Sequence, residues 1–506
     1  MEASSASLTG DPAAAPPALA ARRDTEVVIV GSGFGGLCMG ARLKRAGIGE
    51  FVILEKDLEL GGTWRLNNYP GAACDVPSHL YSFSFAQRAD WSRKFPPQAE
   101  LWDYTQRFAR DFDLLRHIRL DTELRSAAYD EATGHWLIET SRGSWRARFL
   151  VTCMGTLHRP SIPALPGLGD FVGKLFHSSQ WDHHYDLNGK RVAVIGTGAS
   201  AIQFVPAIAP FVAHLDLYQR TPPWILPRPD RAITPLERWL LRRVKPLQWL
   251  YRGWQYLQYE SRYLLFGGSR LLNRLVRHSA LRHMRRELSD HPALIEKLTP
   301  RYQIGCKRIL IMNDYYTTLA RQNVELLTCG IREIRSHSIV GGDGIERPVD
   351  AIILGTGFDV EHALGPIDVR GRDGASLTEL GRRGLEAYKG CAVAGFPNFF
   401  MITGPNTGLG HNSMIYMIES GVAYVTDAIL TLHRTRARAL EVRHDVQARY
   451  NEWLQQRLKR TVWSSGCKSW YLSASGKNHT LWPGFTFAYR WITRRFDVTS
   501  YHLEPQ

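Results

Sequence analysis

The strongest constraint on this chain is a pattern it carries twice: a short apolar strand, a glycine-rich turn and the start of a helix. The first copy runs from Glu26 through Val30 into Gly31, Gly33 and Gly36. The second is RVAVIGTGASA, Arg191 to Ala201, with Gly196 and Gly198 in the same places and Ala201 in the third. A strand feeding such a turn lets backbone amides and the positive end of a helix cradle a pyrophosphate. Two copies predict two dinucleotide-binding units, with Ser200 at the mouth of the second helix.

The residue that ends each second strand separates the ligands. Glu55 stands 24 residues after Gly31, and Arg220 stands 24 residues after Gly196. A carboxylate at Glu55 accepts ribose hydroxyls and repels a 2′-phosphate, which suits the adenosine half of FAD, or NAD. Arg220 with Thr221 offers a guanidinium fork and a hydroxyl, which suit the 2′-phosphate of NADPH.

At 506 residues the chain has room for two or three cores. The expected fold class is α/β, with two Rossmann-like domains for FAD and NADP and a helical insertion in the second. The expected division is a disordered Ala-, Pro- and Ser-rich tail over 1–24, the first part of the FAD-binding domain over 25–157 and a linker over 158–189. An NADP-binding domain over 190–349 follows, interrupted by helices at 222–300, and 350–506 returns to the FAD-binding domain and wraps around it. Irregular loops after the first unit are expected along the flavin, which puts Gly62, Thr63 and Trp64 at the cofactor. Gly357 in DAIILGTGFD and Asn406 in FPNFFMITGPNTGL are expected there from the returning part.

The formal charge of +15 is unaccompanied by a nucleic-acid-binding motif, and anionic cofactors or a membrane surface account for it as well. Seven cysteines are spread singly, without CxxC or metal-ligand spacing. They are expected to be reduced thiols in a cytoplasmic protein without a metal site. No transmembrane span is expected, because no apolar run of sufficient length stands out. In the insertion Trp239, Trp249, Tyr251, Trp254, Tyr256, Tyr259, Tyr263 and Phe266 are mixed with arginines. The plainer expectation is a subdomain whose aromatics pack on the nucleotide domains; the sharper is an amphipathic surface in peripheral contact with a membrane.

Between the two units Phe171, Gly173, His177, Trp181 and Asp182 keep the spacing FxGxxxHxxxW(P/D). Together with both glycine motifs, Gly61-Gly62-Thr63-Trp64, Lys307-Arg308 and Gly404-Pro405-Asn406, this stretch resembles the type I Baeyer–Villiger monooxygenases of the flavin-containing monooxygenase superfamily. The resemblance implies that NADPH reduces FAD, that dioxygen adds to the reduced flavin, and that the deprotonated peroxide attacks a ketone to give an ester or lactone. It also implies Arg308 as the fixed active-site cation, Asp75 as its partner against the cofactor, and Lys307 beside Arg220 and Thr221 on the NADP phosphate or ribose. His177 and Trp181 are expected to couple domain positions rather than to act as a base. The segment from Cys306 to Thr328 looks closer to the branch acting on linear or bulky apolar ketones. Oxygenation of sulfur or nitrogen in soft nucleophiles is the alternative activity. A disulfide reductase would need a cysteine pair at the flavin, where only Cys74 stands, and a flavin-bound scaffold without turnover would have no use for an NADPH site. Monomer and homodimer both stay open.

Overall fold

The computed structural model describes residues 22–360, 365–467, 469–473 and 476–505. Most of the tail expected over 1–24 lies outside the described residues, and its last two positions instead begin the strand Arg23–Val30. Val27 to Val30 is an unbroken buried apolar run, as a strand covered on both faces requires. It pairs in parallel with Phe51–Leu54 on one side and Gly143–Thr152 on the other. The helix Phe34–Arg45 crosses between the first two strands. It can approach closely because a Cβ on Gly36 would stand 1.9 Å from the Gly31 oxygen.

Gly143–Thr152 has two jobs. Through Leu124–Asp130 and His135–Thr140 it forms an antiparallel meander, and it also receives Phe399–Met401 from the far end of the chain.

The second sheet is wholly parallel, in the order Val324–Leu327, His214–Tyr218, Arg191–Ile195, Ala351–Leu354, Lys174–His177. Two expected boundaries move. Lys174–His177, inside the stretch read as a linker over 158–189, is the edge strand of this sheet. Ala351–Leu354, read as the return to the first domain from 350 onward, is its fourth strand, paired on both sides. Both are short apolar runs, and an apolar run does not announce which of two sheets will receive it.

The insertion consists of the helices Pro235–Arg243, Lys245–Ser261, Tyr263–Phe266, Arg270–Glu287 and Pro292–Leu298. A reciprocal cap between Thr234 and Glu237 starts the first. Its aromatics divide. Tyr259 and Phe266 are buried, Tyr256 stacks on Tyr416 at 5.1 Å, and Tyr263 meets Phe485 at 4.7 Å, whereas Trp239, Trp249 and Trp254 face outward.

The helix Met414–Thr435 is, by length and composition, apolar enough to cross a membrane, contrary to expectation. Its apolar window is 78% buried, and it packs on Phe34–Arg45 and Thr486–Thr493, so its composition is that of a core helix. The thiols also depart from expectation: Cys306 and Cys467 form a disulfide with Cα atoms 6.3 Å apart. The fold lays Trp463 and Tyr471 into the same apolar cluster as Cys306, and this brings together two lone cysteines 161 residues apart. The other five are free, four of them buried.

Candidate active site

The first glycine turn opens into a cavity of about 350 Å³ lined by Gly31, Gly33, Glu55, Gly62, Thr63 and Trp64. Gly31 holds φ at +102°, a region that disfavours any side chain. Gly62 lies so close that a Cβ there would stand 2.9 Å from the Gly33 Cα, so this side of the cavity is formed by backbone. Glu55 is buried and already held: Ser32 donates to its Oε2 through the amide at 2.8 Å and the hydroxyl at 2.6 Å. The Asp57 amide donates to Oε1 at 3.1 Å. Trp64 Nε1 donates to the Tyr81 hydroxyl at 3.2 Å.

A second cavity of about 580 Å³ adjoins the first, sharing Met154, Gly155, Thr156, Thr403 and Met414 with it. Leu385, Met401, Ile402, Trp470, Tyr471 and Leu472 make much of its wall apolar. Asn406 is not part of either wall. It is buried, and its Nδ2 donates to the carbonyls of Asn478 at 2.8 Å and Leu481 at 3.1 Å, so it fastens the C-terminal segment while Thr403, Gly404, Pro405 and Thr407 face the cavity. Gly357 also borders neither cavity; its carbonyl accepts from the Ser161 amide at 2.9 Å.

The second turn is open. Gly196 holds φ at +110°, and Gly198 and Ser200 lead into the helix Ala201–Ile208. Arg220 is exposed just past the strand His214–Tyr218, and the Thr221 carbonyl accepts from the Thr197 hydroxyl at 3.3 Å. Lys307 lies close by. Burial lowers its ammonium pKa, and the charge of Arg220 lowers it further. The two are like charges within electrostatic reach of each other, and neither is in an ion pair among the described residues.

The stretch from Phe171 to Asp182 shapes this unit. A Cβ on Gly173 would meet the Phe171 ring at 2.5 Å and the Asp350 carbonyl at 2.7 Å, so only glycine fits. Phe171 packs under the second sheet, and Trp181 lies against Phe176 at 5.2 Å and Phe204 at 5.4 Å. His177 is buried, and its Nδ1 accepts from the Ser179 amide at 3.2 Å. Burial holds its imidazole below the ordinary range, against the Gly357 backbone beside it. Asp182 is paired with Lys174, which holds its carboxyl low.

Asp75 and Arg308 meet where the two units face each other. Arg308 donates to Asp75 Oδ2 through Nε at 3.2 Å and Nη2 at 2.5 Å, so the pair does not use Nη1. Burial pushes the Asp75 carboxyl up, but the charge and hydrogen bonds of Arg308 outweigh it and leave the carboxyl below its usual range. The carboxylate in turn raises Arg308 against the cost of burial. Dense protein surrounds the pair, yet the side chains keep 42% and 28% exposure for Arg308 and Asp75, so they face a cleft. Tyr81 in the first cavity and Tyr471 in the second both feel these two charges. Tyr471 is pushed up to about 12, mainly by burial, with Arg308 opposing. The ion pair lines neither cavity, but its charges reach a tyrosine of each.

Residues 24–364 match the model of the flavin-binding monooxygenase-like family. The chain is 52% identical over 490 residues to a Baeyer–Villiger monooxygenase of Pseudomonas aeruginosa, a match covering 96% of this chain and 93% of that one. It is 48% identical over 479 residues to a Baeyer–Villiger monooxygenase of Streptomyces coelicolor, covering 94% and 92%. Among solved structures, oxidized steroid monooxygenase bound to NADP superposes with a TM-score of 0.85 at 31% identity, covering 96% of this chain and 100% of that one. The chain belongs to the Baeyer–Villiger flavin monooxygenases.

For a Baeyer–Villiger monooxygenase, three of its positioned groups escape a motif-based reading. Ser32 holds Glu55, and its only signal is a hydroxyl residue between two motif glycines. Tyr471 reaches the second cavity from a C-terminal stretch without periodicity. Tyr259, from the insertion, donates its hydroxyl to the Asp75 carbonyl at 3.4 Å. Among the described residues one group, His214, Asp216 and Glu325, gathers three potential metal ligands within 4.8 Å, at the surface of the second sheet and away from these cavities.

Proposed function

We propose that this protein uses FAD and NADPH to insert one atom of dioxygen beside the carbonyl of an apolar linear or bulky ketone, giving an ester or lactone. The observation that carries the reading is the Arg308 guanidinium of the second unit, fixed by Asp75 of the first. FAD fits the first cavity by its backbone wall and the pre-held Glu55, and NADPH fits the second turn by the Arg220–Lys307 cation pair. Bound FAD, reduced by NADPH, supplies the oxygen chemistry. The chain's own residues supply charge and position. An arginine cannot lose its proton, so Arg308 keeps a positive charge against oxygen that becomes anionic at the reacting centre. Asp75 aims that charge and leaves Nη1 for the reaction. The apolar wall formed by Leu385, Met401, Leu472 and Trp470 favours a ketone with substantial hydrocarbon. The enzyme works in the cytoplasm as a monomer or homodimer, with its helical insertion in peripheral contact with a membrane.

The test is Arg308→Ala assayed in air with NADPH and a panel of ketones, sulfides and amines. NADPH consumption should continue while ester formation falls about a thousandfold, the scale of removing one fixed donor from a developing oxyanion. Undiminished ester formation would remove Arg308 from the mechanism. Wild-type turnover confined to the sulfides or amines would move the reading to heteroatom oxygenation.

A further inference from the structure

The insertion helix Lys245–Ser261 is turned inside out. Its inner face buries Gln248, Arg252, Gln255 and Glu260. Its outer face presents Leu247, Leu250, Trp254 and Leu257 at helical spacing, with Leu250 72% and Trp254 61% exposed. Rolling the helix to hide this stripe would break the bonds that hold it. Gln248 Nε2 donates to the Arg88 carbonyl at 3.1 Å, and Arg252 donates to the carbonyls of His79 and Leu80. Glu260 accepts from Asn412 Nδ2 and from the amide and hydroxyl of Thr486. A buried charge held this way fixes the roll of the helix.

The stripe does not stand alone. Trp239 is exposed on the preceding helix and Trp249 on this one. At the other end, the bonds from Glu260 seat the helix Thr486–Thr493, which adds exposed Phe487 and Trp491, the latter under the Arg494 guanidinium at 3.5 Å. The charge near it is mainly positive, the acids Glu237 and Glu287 being paired with Arg231 and Arg286. Between Arg238 and Arg286 the sequence holds twelve lysines and arginines and a single acid, Glu260, which points inward.

From this geometry we infer that the face carrying Leu250, Trp254 and Trp491 adsorbs to an anionic phospholipid bilayer, with the helix Lys245–Ser261 in the plane of the headgroups; the inference rests on the peripheral contact proposed above and gives it residues and a lipid class. Leucine and tryptophan on one face with a basic rim is the composition that lies in a bilayer interface. A second copy of the chain is a poorer occupant, because a two-fold contact through this face would press the two arginine rims together. The same helix carries Tyr259 on its inner side, bonded to the Asp75 carbonyl, so the membrane face and the ion pair are opposite sides of one element.

The experiment is flotation of the flavin-loaded full chain with phosphatidylcholine vesicles, with and without phosphatidylglycerol, and measurement of its mass in solution. Wild type should float with the anionic vesicles at least tenfold more strongly than with the neutral ones. Leu250→Gln/Trp254→Gln should lose that binding tenfold or more, and Arg242→Glu/Arg243→Glu should lose the preference for anionic lipid. Equal binding to both vesicles would overturn the anionic assignment while leaving a peripheral contact. Undiminished binding by the leucine–tryptophan variant would overturn the stripe, and no binding to either vesicle would remove the membrane altogether. A wild-type dimer dissolved by that variant would give the face to a second copy. Flotation needs no turnover, so failure of ketone oxidation in a parallel assay would count against the activity and not against this surface.

Discussion

The two nucleotide-binding turns are written in the same pattern and built to opposite ends. At the first, Glu55 is buried, hydrogen-bonded in advance by Ser32 and Asp57, and faces a cavity. At the second, Arg220 is exposed, and the charge of Lys307 that it acts on has the same sign. A polar group fixed before binding has no ordering left to lose, which favours a cofactor that stays. An exposed cation pair attracts anions from a distance and is weakened by salt, which favours a cosubstrate that arrives and leaves.

The largest test of this contrast is Glu55→Ala. Loss of two charge-assisted hydrogen bonds of about 1.5–3 kcal/mol each should weaken FAD binding about a hundredfold or more, seen as a chain purified with little flavin absorbance. Titration of the same variant with NADP⁺ should change little, and a variant that keeps its flavin but loses NADP⁺ would invert the comparison. Next comes Arg220→Ala. One lost phosphate fork should raise the KM for NADPH about ten- to a hundredfold and leave the KM for NADH and the flavin content nearly unchanged. Equal rises for both nucleotides would mean that Arg220 does not read the 2′-phosphate. Lys307→Ala should act in the same direction but by about three- to tenfold, because a partly exposed ammonium is screened and is a less directional partner than a guanidinium. Raising the ionic strength should shrink both effects.

How far the chain could be read from sequence follows the same division. Gly31, Gly33, Glu55, Gly196 and Arg220 are legible because a pyrophosphate turn and a strand end dictate residue types at fixed spacing. Gly173 is legible as part of a spaced stretch, but the reason for it, the Asp350 carbonyl 2.7 Å from where its Cβ would lie, exists only once Ala351–Leu354 has joined the second sheet. Asn406 sits in a recognisable turn, yet its amide points to Asn478 and Leu481, seventy residues on, and no local pattern records that choice. The Cys306–Cys467 bond, Tyr471 and the inverted helix are long-range in the same sense. Lone cysteines carry no pairing signal, and an apolar stripe at helical spacing reads as a core face until the opposite face is found buried.

The smallest expected effect lies where the two units meet. Asp75 comes from the first unit and Arg308 from the second, so their bond ties the two together. The folded Asp75 carboxyl sits below its ordinary value, so the pair's contribution to stability is complete above about pH 4, the unfolded value, and is lost as pH falls through the lower folded value. Asp75→Asn should therefore melt about 1–2 °C below wild type at pH 7, a small difference because the pair is partly open to solvent. The gap should hold from pH 7 to about pH 5 and close below about pH 4. Thermal unfolding of both flavin-loaded chains across that range decides it. A gap that widened in acid would mean that Asp75 is protonated in the native cleft, and the carboxylate could then no longer be what fixes Arg308 between the two nucleotide sites.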